Sequence, residues 1–197
     1  MMNHLLLFCH PSSHSFNHAL LEVYSKELEK SGHSVDVRNL YDLDFQPVLT
    51  ESEYKNSLEF RYEADVLKEQ EYIAWCDRLA LIYPVWWGGM PALLKGYIDR
   101  VFSYGFAYEL DGEEPVPRLQ GKSAVTICTT GTPSEIYDEN GMHDAMDTAR
   151  NVSIFEFCGI KATHSLYFGN VILAGDEKRR NMLEEVRQLA VSGPKPY

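Results

Sequence analysis

Three segments of the sequence carry side chains suited to holding a ligand, and each follows a short apolar run. Residues 10–17 supply hydroxyl, imidazole and amide groups. Residues 84–91 place Trp86 and Trp87 side by side, followed by two glycines. Residues 129–133 contain three threonines and one glycine. The first segment suits an anion, the second a flat aromatic ring, and the third a ligand that approaches the backbone closely.

Each segment also has an ordinary structural interpretation, which the sequence leaves open. Ser15 and Asn17 can cap a helix without binding anything. The tryptophans can pack beneath a loop or in a dimer interface. Tyr137 and His143, six residues apart beyond the third segment, are each typical of surface or packing positions. The first segment has no glycine, so it is neither a GxGxxG motif nor a P-loop, although an anion could still bind at the start of the following helix.

The elements that must position these segments alternate between strands and helices. The predicted strands cover residues 5–9, 34–40, 79–83, 123–128 and 163–168. Most of these runs are continuously apolar, whereas residues 34–40 alternate as an edge strand does. The predicted helices cover residues 17–30, most of 51–77, 91–102, 141–157 and 176–191. The predicted loops are residues 43–50, a turn-rich surface insertion at 111–121, and residues 129–140.

Five strands separated by helices predict an α/β fold with a parallel sheet and helices on both faces. No repeat or low-complexity linker interrupts the chain, so residues 1–197 are predicted to form one domain. The flavodoxin-like strand order 2-1-3-4-5 suits five strands of this spacing and gives a three-layer sandwich. Because ligands bind beyond the carboxyl ends of such strands, we expect the three segments to meet at one edge of the sheet.

The composition of the 197-residue chain argues against several classes of protein. Acidic residues (29) outnumber Lys and Arg (18), and the net charge of −11 disfavours binding to nucleic acid or to an anionic membrane. The longest uncharged run, residues 79–94, is shorter than the ~18 residues that a spanning helix needs, so no membrane insertion is expected. The four cysteines form no CxxC motif, which predicts free thiols in a reduced, cytoplasmic compartment.

A metal site and a serine hydrolase site are not expected either. His10, His14 and His18 recur every fourth residue, but Pro11 interrupts any helix that would begin at His10. No cysteine or carboxylate accompanies the three imidazoles at ligand spacing. The sequence contains no GxSxG nucleophile elbow.

Four segments in order carry a resemblance to a known family. They are residues 10–17, residues 84–96 with 99–102, residues 105–108 and residues 129–131. Together they resemble the NAD(P)H:quinone oxidoreductase (DT-diaphorase) family of flavodoxin-like flavoproteins, and the similarity extends from about Leu5 to Gly159. The sequence departs from the family pattern after Gly131, where Thr132 stands in place of a glycine and Pro133 follows it, and this change is expected to reshape the substrate pocket.

The resemblance implies a role for each matched residue. The positions that hold the flavin phosphate match His10, Ser15, Phe16 and Asn17. The loop along the isoalloxazine ring matches Pro84, Val85, Trp86 and Trp87. The loop on the pyrimidine side of the ring matches Thr129, Thr130 and Gly131. The catalytic pair beside flavin N1 and O2 matches Tyr137 and His143. The substrate pocket matches Tyr108 and Phe157, which a second subunit would lend, together with Gly131.

The resemblance also implies an activity and a cofactor. The flavin would take a hydride from NAD(P)H and pass two electrons to quinones or related aromatic acceptors by a ping-pong mechanism, in a homodimer. FMN is favoured over FAD, whose adenine end would need contacts from residues 58–62 and from Lys178 or Arg179. Two other functions stay open: a flavodoxin-like electron carrier, and a regulatory subunit of a potassium-efflux transporter.

Overall fold

A parallel sheet forms the centre of the molecule in the computed structural model, which describes residues 1–192. The strands are β1 (Asn3–Phe8), β2 (Ser34–Asn39), β3 (Arg78–Pro84), β4 (Tyr108–Asp111), β5 (Glu114–Pro117), β6 (Ser123–Thr129) and β7 (Lys161–Phe168). Five of them pair in parallel in the order β2-β1-β3-β6-β7, while β4 and β5 form a separate antiparallel hairpin. The predicted order 2-1-3-4-5 is therefore confirmed for the five main strands.

Helices cover both faces of this sheet. The α-helices are α1 (Phe16–Lys30), α2 (Glu51–Ser57), α3 (Ala64–Trp75), α4 (Ala92–Val101), α5 (Ser134–Glu139), α6 (Met142–Asp147) and α7 (Asp176–Ser192). A 3₁₀ turn covers Leu40–Asp42, and a π-helix covers Thr148–Glu156. Helices α1 and α7 pack on one face of the sheet, and α3, α4 and the π-helix pack on the other. This is the three-layer arrangement that the sequence predicted.

The apolar strand runs account for the two cores. Along β1, alternate residues point to opposite faces, so Leu5 and Leu7 join one cluster while Leu6 and Phe8 join the other. All four side chains are almost completely buried. Strand β2 lies at the edge of the sheet and is only partly buried, which explains its alternating pattern.

Three predicted elements differ from the structure because the local sequence pattern did not distinguish them. Residues 129–140 were predicted as loop, but Pro133 precedes the short helix α5. Residues 141–157 form α6 followed by the π-helix and not one regular helix, because the backbone bonds there shift to the wider π spacing. The insertion at 111–121 contains most of a hairpin. The hairpin was not predicted because β5 contains prolines, which are uncommon within strands. Smaller departures are a break at residues 58–63 and a helix α4 that begins one residue after Pro91.

The strand register brings the three segments predicted to bind a ligand to one edge of the sheet. Beyond the strand ends, Cys9 N donates to Ile82 O (3.0 Å), Val85 N to Thr129 O (2.8 Å) and Thr130 N to Phe168 O (2.9 Å). These bonds hold the starts of the loops after β1, β3 and β6 side by side. The site therefore rests on rigid strand ends and not on free loops.

None of the helices within residues 1–192 has the length and apolar character that crossing a membrane requires. The four cysteines are buried and free, as the sequence predicted. Burial raises the pKa of the Cys9 thiol to about 12.

Candidate functional site

A cleft of about 610 Å³ opens at the carboxyl edge of the sheet. Its lining contains ten of the eleven residues that the sequence assigned to cofactor binding: His10, Ser15, Phe16, Asn17, Pro84, Val85, Trp86, Thr129, Thr130 and Gly131. The lining is completed by Ser12, His14, Val171, Ile172 and Arg179. All three segments therefore contribute to one cleft, as the fold required.

The first segment ends at the N-terminus of α1, where it offers hydrogen-bonding groups. Ser15 caps the helix, since its side chain accepts from His18 N (3.2 Å). Asn17 is buried and donates from Nδ2 to Thr129 Oγ1 (2.7 Å), but its Oδ1 has no hydrogen-bond partner among residues 1–192. Ser12 N donates to His10 Nδ1 (3.0 Å), and burial lowers the pKa of His10. Helix dipole, hydroxyl and imidazole thus converge where an anion would be stabilised.

The second segment folds into a two-residue turn that separates the two tryptophans. Trp86 and Gly89 exchange backbone hydrogen bonds of 3.0 and 3.1 Å, and the residues between them, Trp87 and Gly88, have positive φ angles of 52° and 72°. This geometry is that of a type I′ turn. Trp86 reaches the cleft, 6.4 Å from the His10 ring, whereas Trp87 is fully exposed at the tip of the turn. The structure therefore does not bring Trp87 into the cleft lining.

The third segment presents its backbone to the cleft. Thr129 and Thr130 are buried, and Thr130 Oγ1 donates to Thr132 O (2.6 Å), which fixes the turn after β6. A Cβ atom on Gly131 would make an ordinary van der Waals contact of 3.4 Å with Ile172, so the space beside this glycine is open. This turn gives a ligand access to main-chain groups with few side chains in the way.

Arg179, in the first turns of α7, brings a positive charge to the same cleft. Its Nη2 donates to Val171 O (3.1 Å), and its guanidinium lies 5.7 Å from the centre of the Phe16 ring. Its Nε is buried and has no hydrogen-bond partner in the described part of the chain. A free guanidinium donor beside a helix N-terminus is a strong arrangement for a phosphate.

Tyr137 and His143 lie together, but they are not part of the cleft lining. Their rings are 5.5 Å apart in an edge-to-face arrangement. His143 Nδ1 lies 2.6 Å from Asp138 Oδ1, and its ring stacks on Tyr167 at 4.4 Å. Its Nε2 is buried without a hydrogen-bond partner in residues 1–192. The neighbouring Met142 contacts the second segment, so this helix packs beside the tryptophan turn.

Tyr108 and Phe157 lie in a different cavity. Their rings contact edge to face at 4.9 Å, and they line a space of about 410 Å³ between α4 and the π-helix. None of the cleft residues belongs to this cavity. Within one chain, these two aromatic residues are therefore separate from the cleft.

Metal ligation has little support in the geometry. Residues 1–192 contain no group of three or more His, Cys, Asp or Glu side chains placed to hold a metal ion. Of the three histidines with regular spacing, His10 and His14 line the cleft, while His18 packs edge to face on Phe8.

The sequence matches a protein family described as having a flavodoxin-like fold, over residues 2–190. This chain belongs to that flavodoxin-like family.

Similar proteins carry oxidoreductase names. An uncharacterized NAD(P)H oxidoreductase of Haemophilus influenzae is 35% identical over 188 residues, which cover 95% of this chain and 93% of that protein. Ribosyldihydronicotinamide dehydrogenase [quinone] of Rattus norvegicus is 30% identical, covering 91% of this chain and 86% of that one. A solved NAD(P)H:quinone oxidoreductase from Methanothermobacter marburgensis superposes with a TM-score of 0.89 at 32% identity, covering 96% of this chain and 98% of that one.

In this flavodoxin-like protein, sequence reasoning missed part of the cleft. Ser12 and His14 lie inside the first segment, so their position in a strand-end loop was the available signal. Val171 and Ile172 belong to the loop after β7, which has no motif to identify it. For Arg179, the sequence predicts only a contact with the adenine end of FAD, because a basic residue at the start of a helix is usually solvated.

Proposed function

We propose that this protein is a flavin-dependent NAD(P)H oxidoreductase that passes two electrons to quinones or related aromatic acceptors. The observation that carries the proposal is the cleft, because it gathers ten residues from three separated segments. The cleft lies beyond β1 and β3, which in flavodoxin-like sheets flank the point where FMN binds. The names of the similar proteins, NAD(P)H oxidoreductase and NAD(P)H:quinone oxidoreductase, suggest the donor and the acceptor.

The chemistry of the cleft fits a flavin. Asn17 Oδ1 and Arg179 Nε are buried polar atoms without partners among the described residues, and both residues line the cleft. A buried polar atom left unpaired costs about 1–3 kcal/mol. An acceptor and a cationic donor in one cleft therefore favour a ligand that carries hydroxyl and phosphate groups. Trp86 and the turn at 129–131 provide the aromatic and main-chain surfaces that suit a planar heterocycle.

The bound flavin would supply the redox chemistry, accepting two electrons from NAD(P)H and delivering them to the acceptor in a ping-pong sequence. The residues of the chain hold and orient the ring and stabilise charge. We assign Tyr137 and His143 to the edge where negative charge develops, because each can present a hydrogen-bond donor. Ser15, Asn17 and Arg179 hold the phosphate end.

FMN is the flavin that the cleft suits better. The segment at residues 58–62, which would contact an adenine, contributes Leu58, Arg61 and Tyr62 to a separate cavity of about 440 Å³. Lys178 is not part of the cleft lining. The cleft thus offers Arg179 and one helix N-terminus, which together match a single phosphate.

A homodimer would complete the substrate pocket. Tyr108 and Phe157 lie away from the cleft of their own chain, so they can act on an acceptor only in the cleft of a second copy. An aromatic pair placed over the flavin would select flat acceptors such as quinones. Sedimentation analysis and the activity of mixed dimers of Phe157→Ala and His143→Gln chains test this part of the proposal.

The test of the function is anaerobic stopped-flow mixing of the FMN-loaded protein with NADPH and NADH, followed by a soluble benzoquinone. Rapid loss of the flavin absorbance with either nucleotide, and its recovery with the quinone, is the expected result. If neither nucleotide reduces the bound flavin, the proposed oxidoreductase activity is contradicted. The alternative function as a flavodoxin-like electron carrier would then remain.

The His143→Gln variant tests the assigned role of the imidazole in the same experiment. Flavin reduction should slow by about 100-fold if His143 stabilises developing charge, while FMN stays bound. The control is His164→Gln on β7, which leaves the cleft unchanged. Equal reduction rates in the wild type and His143→Gln would remove His143 from the mechanism.

A further inference from the structure

The environment of His143 contains an acidic partner whose role the sequence did not indicate. Asp138, at the C-terminal end of α5, lies with Oδ1 at 2.6 Å from His143 Nδ1. The Asp138 side chain is 67% exposed, whereas that of His143 is 15% exposed. An ionised carboxylate only accepts hydrogen bonds, so this contact places a hydrogen on Nδ1. In the neutral ring, Nε2 is then left as an unprotonated acceptor.

The plane of the His143 ring is fixed from a second direction. The ring stacks on Tyr167 with an interplanar angle of 22°. Tyr167 Oη donates to Asp147 Oδ1 (2.7 Å) and accepts from Arg150 Nη1 (3.0 Å). Arg150 is buried and also binds Ser165 Oγ (2.7 Å), so the stacking partner cannot turn without breaking a buried network. Two contacts therefore determine both the plane and the rotation of the imidazole.

The consequence concerns the remaining ring nitrogen. His143 Nε2 is buried and has no hydrogen-bond partner within residues 1–192. A ligand oxygen without a hydrogen, such as a carbonyl oxygen, could be bound at this atom only if Nε2 carried a hydrogen. With Nδ1 already donating to Asp138, that state is the imidazolium, whose charge the carboxylate offsets. The proton comes from solvent and adds to the Nε2 lone pair, so no other bond breaks.

We propose that Asp138 is a positioning residue that fixes the tautomer of His143 and allows Nε2 to become a hydrogen-bond donor to the flavin when negative charge develops there. This inference rests on the proposed function, because it takes the flavin as the ligand of His143. Asp138 touches neither the cofactor nor the substrate and acts through the imidazole alone. The Asp138 carboxylate lies at the surface, whereas Nε2 of His143 is buried in the flavin-free structure.

The test compares Asp138→Asn with Asp144→Asn, a matched control. Asp144 lies beside His143 on α6, is exposed, and its substitution removes the same charge. Long-range proton–nitrogen NMR of the flavin-free protein identifies which ring nitrogen of His143 carries the hydrogen. The wild type and Asp144→Asn should show hydrogen on Nδ1, and Asp138→Asn should show a mixture of tautomers. The His143→Gln variant assigns the signal.

The functional arm uses the FMN-loaded proteins. Partners that orient a functional imidazole typically contribute about 10- to 100-fold, and we expect flavin reduction in Asp138→Asn to slow by that factor. FMN affinity should change by less than about twofold, since Asp138 is not a ligand. The Asp138→Glu variant, which keeps a carboxylate, should recover part of the rate.

The outcomes separate this inference from the function on which it rests. An unchanged tautomer in Asp138→Asn, or an unchanged reduction rate despite an altered tautomer, would overturn the role of Asp138 and leave the oxidoreductase intact. A wild-type protein that binds no flavin would remove both. Equal losses in Asp138→Asn and Asp144→Asn would show that the effect is one of overall charge and would also overturn the inference.

Discussion

The two edges of the parallel sheet both contain buried polar atoms without partners in the described chain, but their surroundings differ. At the carboxyl edge, Asn17 Oδ1 and Arg179 Nε belong to residues that line a cleft of about 610 Å³. At the amino edge, both ring nitrogens of His4 are unpartnered, and the residue is only 1% exposed. His4 belongs to the lining of neither the cleft nor the two other cavities described above.

The difference shows when an unpaired polar atom points to a ligand. Beside open space, the missing bonds can be supplied by a bound molecule, and the cost of leaving them unmade favours binding. Inside packed structure, the same atom can only reduce stability or respond to pH. The predictions below separate these two consequences.

The largest effect is expected for Asn17→Asp at the carboxyl edge. The substitution keeps the size of the side chain, and Thr129 Oγ1 can donate to the new carboxylate. A carboxylate opposite a phosphate costs several kcal/mol, or more than about 100-fold in FMN affinity. Calorimetric FMN titration measures it, with Asn56→Asp on α2 as the control that adds the same charge outside the cleft. Equal affinities for both variants would contradict a phosphate site at α1.

At the amino edge, His4 should make stability depend on pH without affecting a ligand. Burial, with Arg78 and His33 nearby, lowers its pKa in the folded protein to about 4 from 6.5, while Asp77 acts in the opposite direction. The unfolded chain therefore binds a proton between these values and the folded one does not. The contribution of neutral His4 to the free energy of unfolding is fully present above about pH 6.5. It falls by about 3 kcal/mol as the pH drops towards 4.

Urea unfolding at pH 7 and pH 4.5 measures the His4 contribution. In His4→Phe, the loss of stability between pH 7 and pH 4.5 should shrink by about 2 kcal/mol, because no imidazole remains to be protonated. His33→Gln, which alters the half-buried neighbour, should keep most of the wild-type pH dependence. A His4→Phe protein with an unchanged pH profile would show that other groups cause the acid sensitivity.

A smaller effect is expected for Arg179→Gln. Losing a charge-assisted hydrogen bond to phosphate should cost about 1.5–3 kcal/mol of FMN binding. The flavin-free protein should lose no more than about 1 kcal/mol of stability, because Arg179 Nε has no partner to lose and only the bond from Nη2 to Val171 O (3.1 Å) is removed. The adjacent, exposed Arg180→Gln is the matched control for charge. If both variants weaken FMN binding equally, the phosphate is attracted only by the overall positive charge of the region and not by a hydrogen bond from Arg179.

The two tryptophans give the smallest and most local comparison. Trp86 lines the cleft, so Trp86→Ala should weaken FMN binding by about 1 kcal/mol through the loss of contact with the aromatic ring. Trp87 is outside the lining, and Trp87→Ala should leave the affinity within about twofold. Fluorescence titration of both variants measures the difference. A larger loss for Trp87→Ala would mean that the turn moves its tip onto the ring when flavin binds.

The sequence predicted the parts of this molecule that follow a strong pattern. The buried strands are continuous apolar runs, and their order followed from connection rules, so the ends of β1, β3 and β6 could be placed together. The loop residues at those ends were then in the cleft, with Trp87 as the exception. Its position depends on two successive positive φ angles, which a Trp-Gly pair does not predict.

Contacts between segments without a motif could not be predicted. The bond between Asp138 and His143 depends on a short helix that followed Pro133, and the stacking on Tyr167 depends on the register of β7. The π-helix differs from an α-helix only in its hydrogen-bond spacing, for which residues 148–156 give no separate signal. These features arise from tertiary packing.

The most direct test of the account is the visible spectrum of the freshly purified protein before and after anaerobic NADPH, with the released cofactor identified by chromatography. The account predicts a yellow protein that NADPH bleaches and that releases FMN. A protein that stays colourless after incubation with FMN and FAD would contradict it. The unpaired atoms at the carboxyl edge would then need the same explanation as His4.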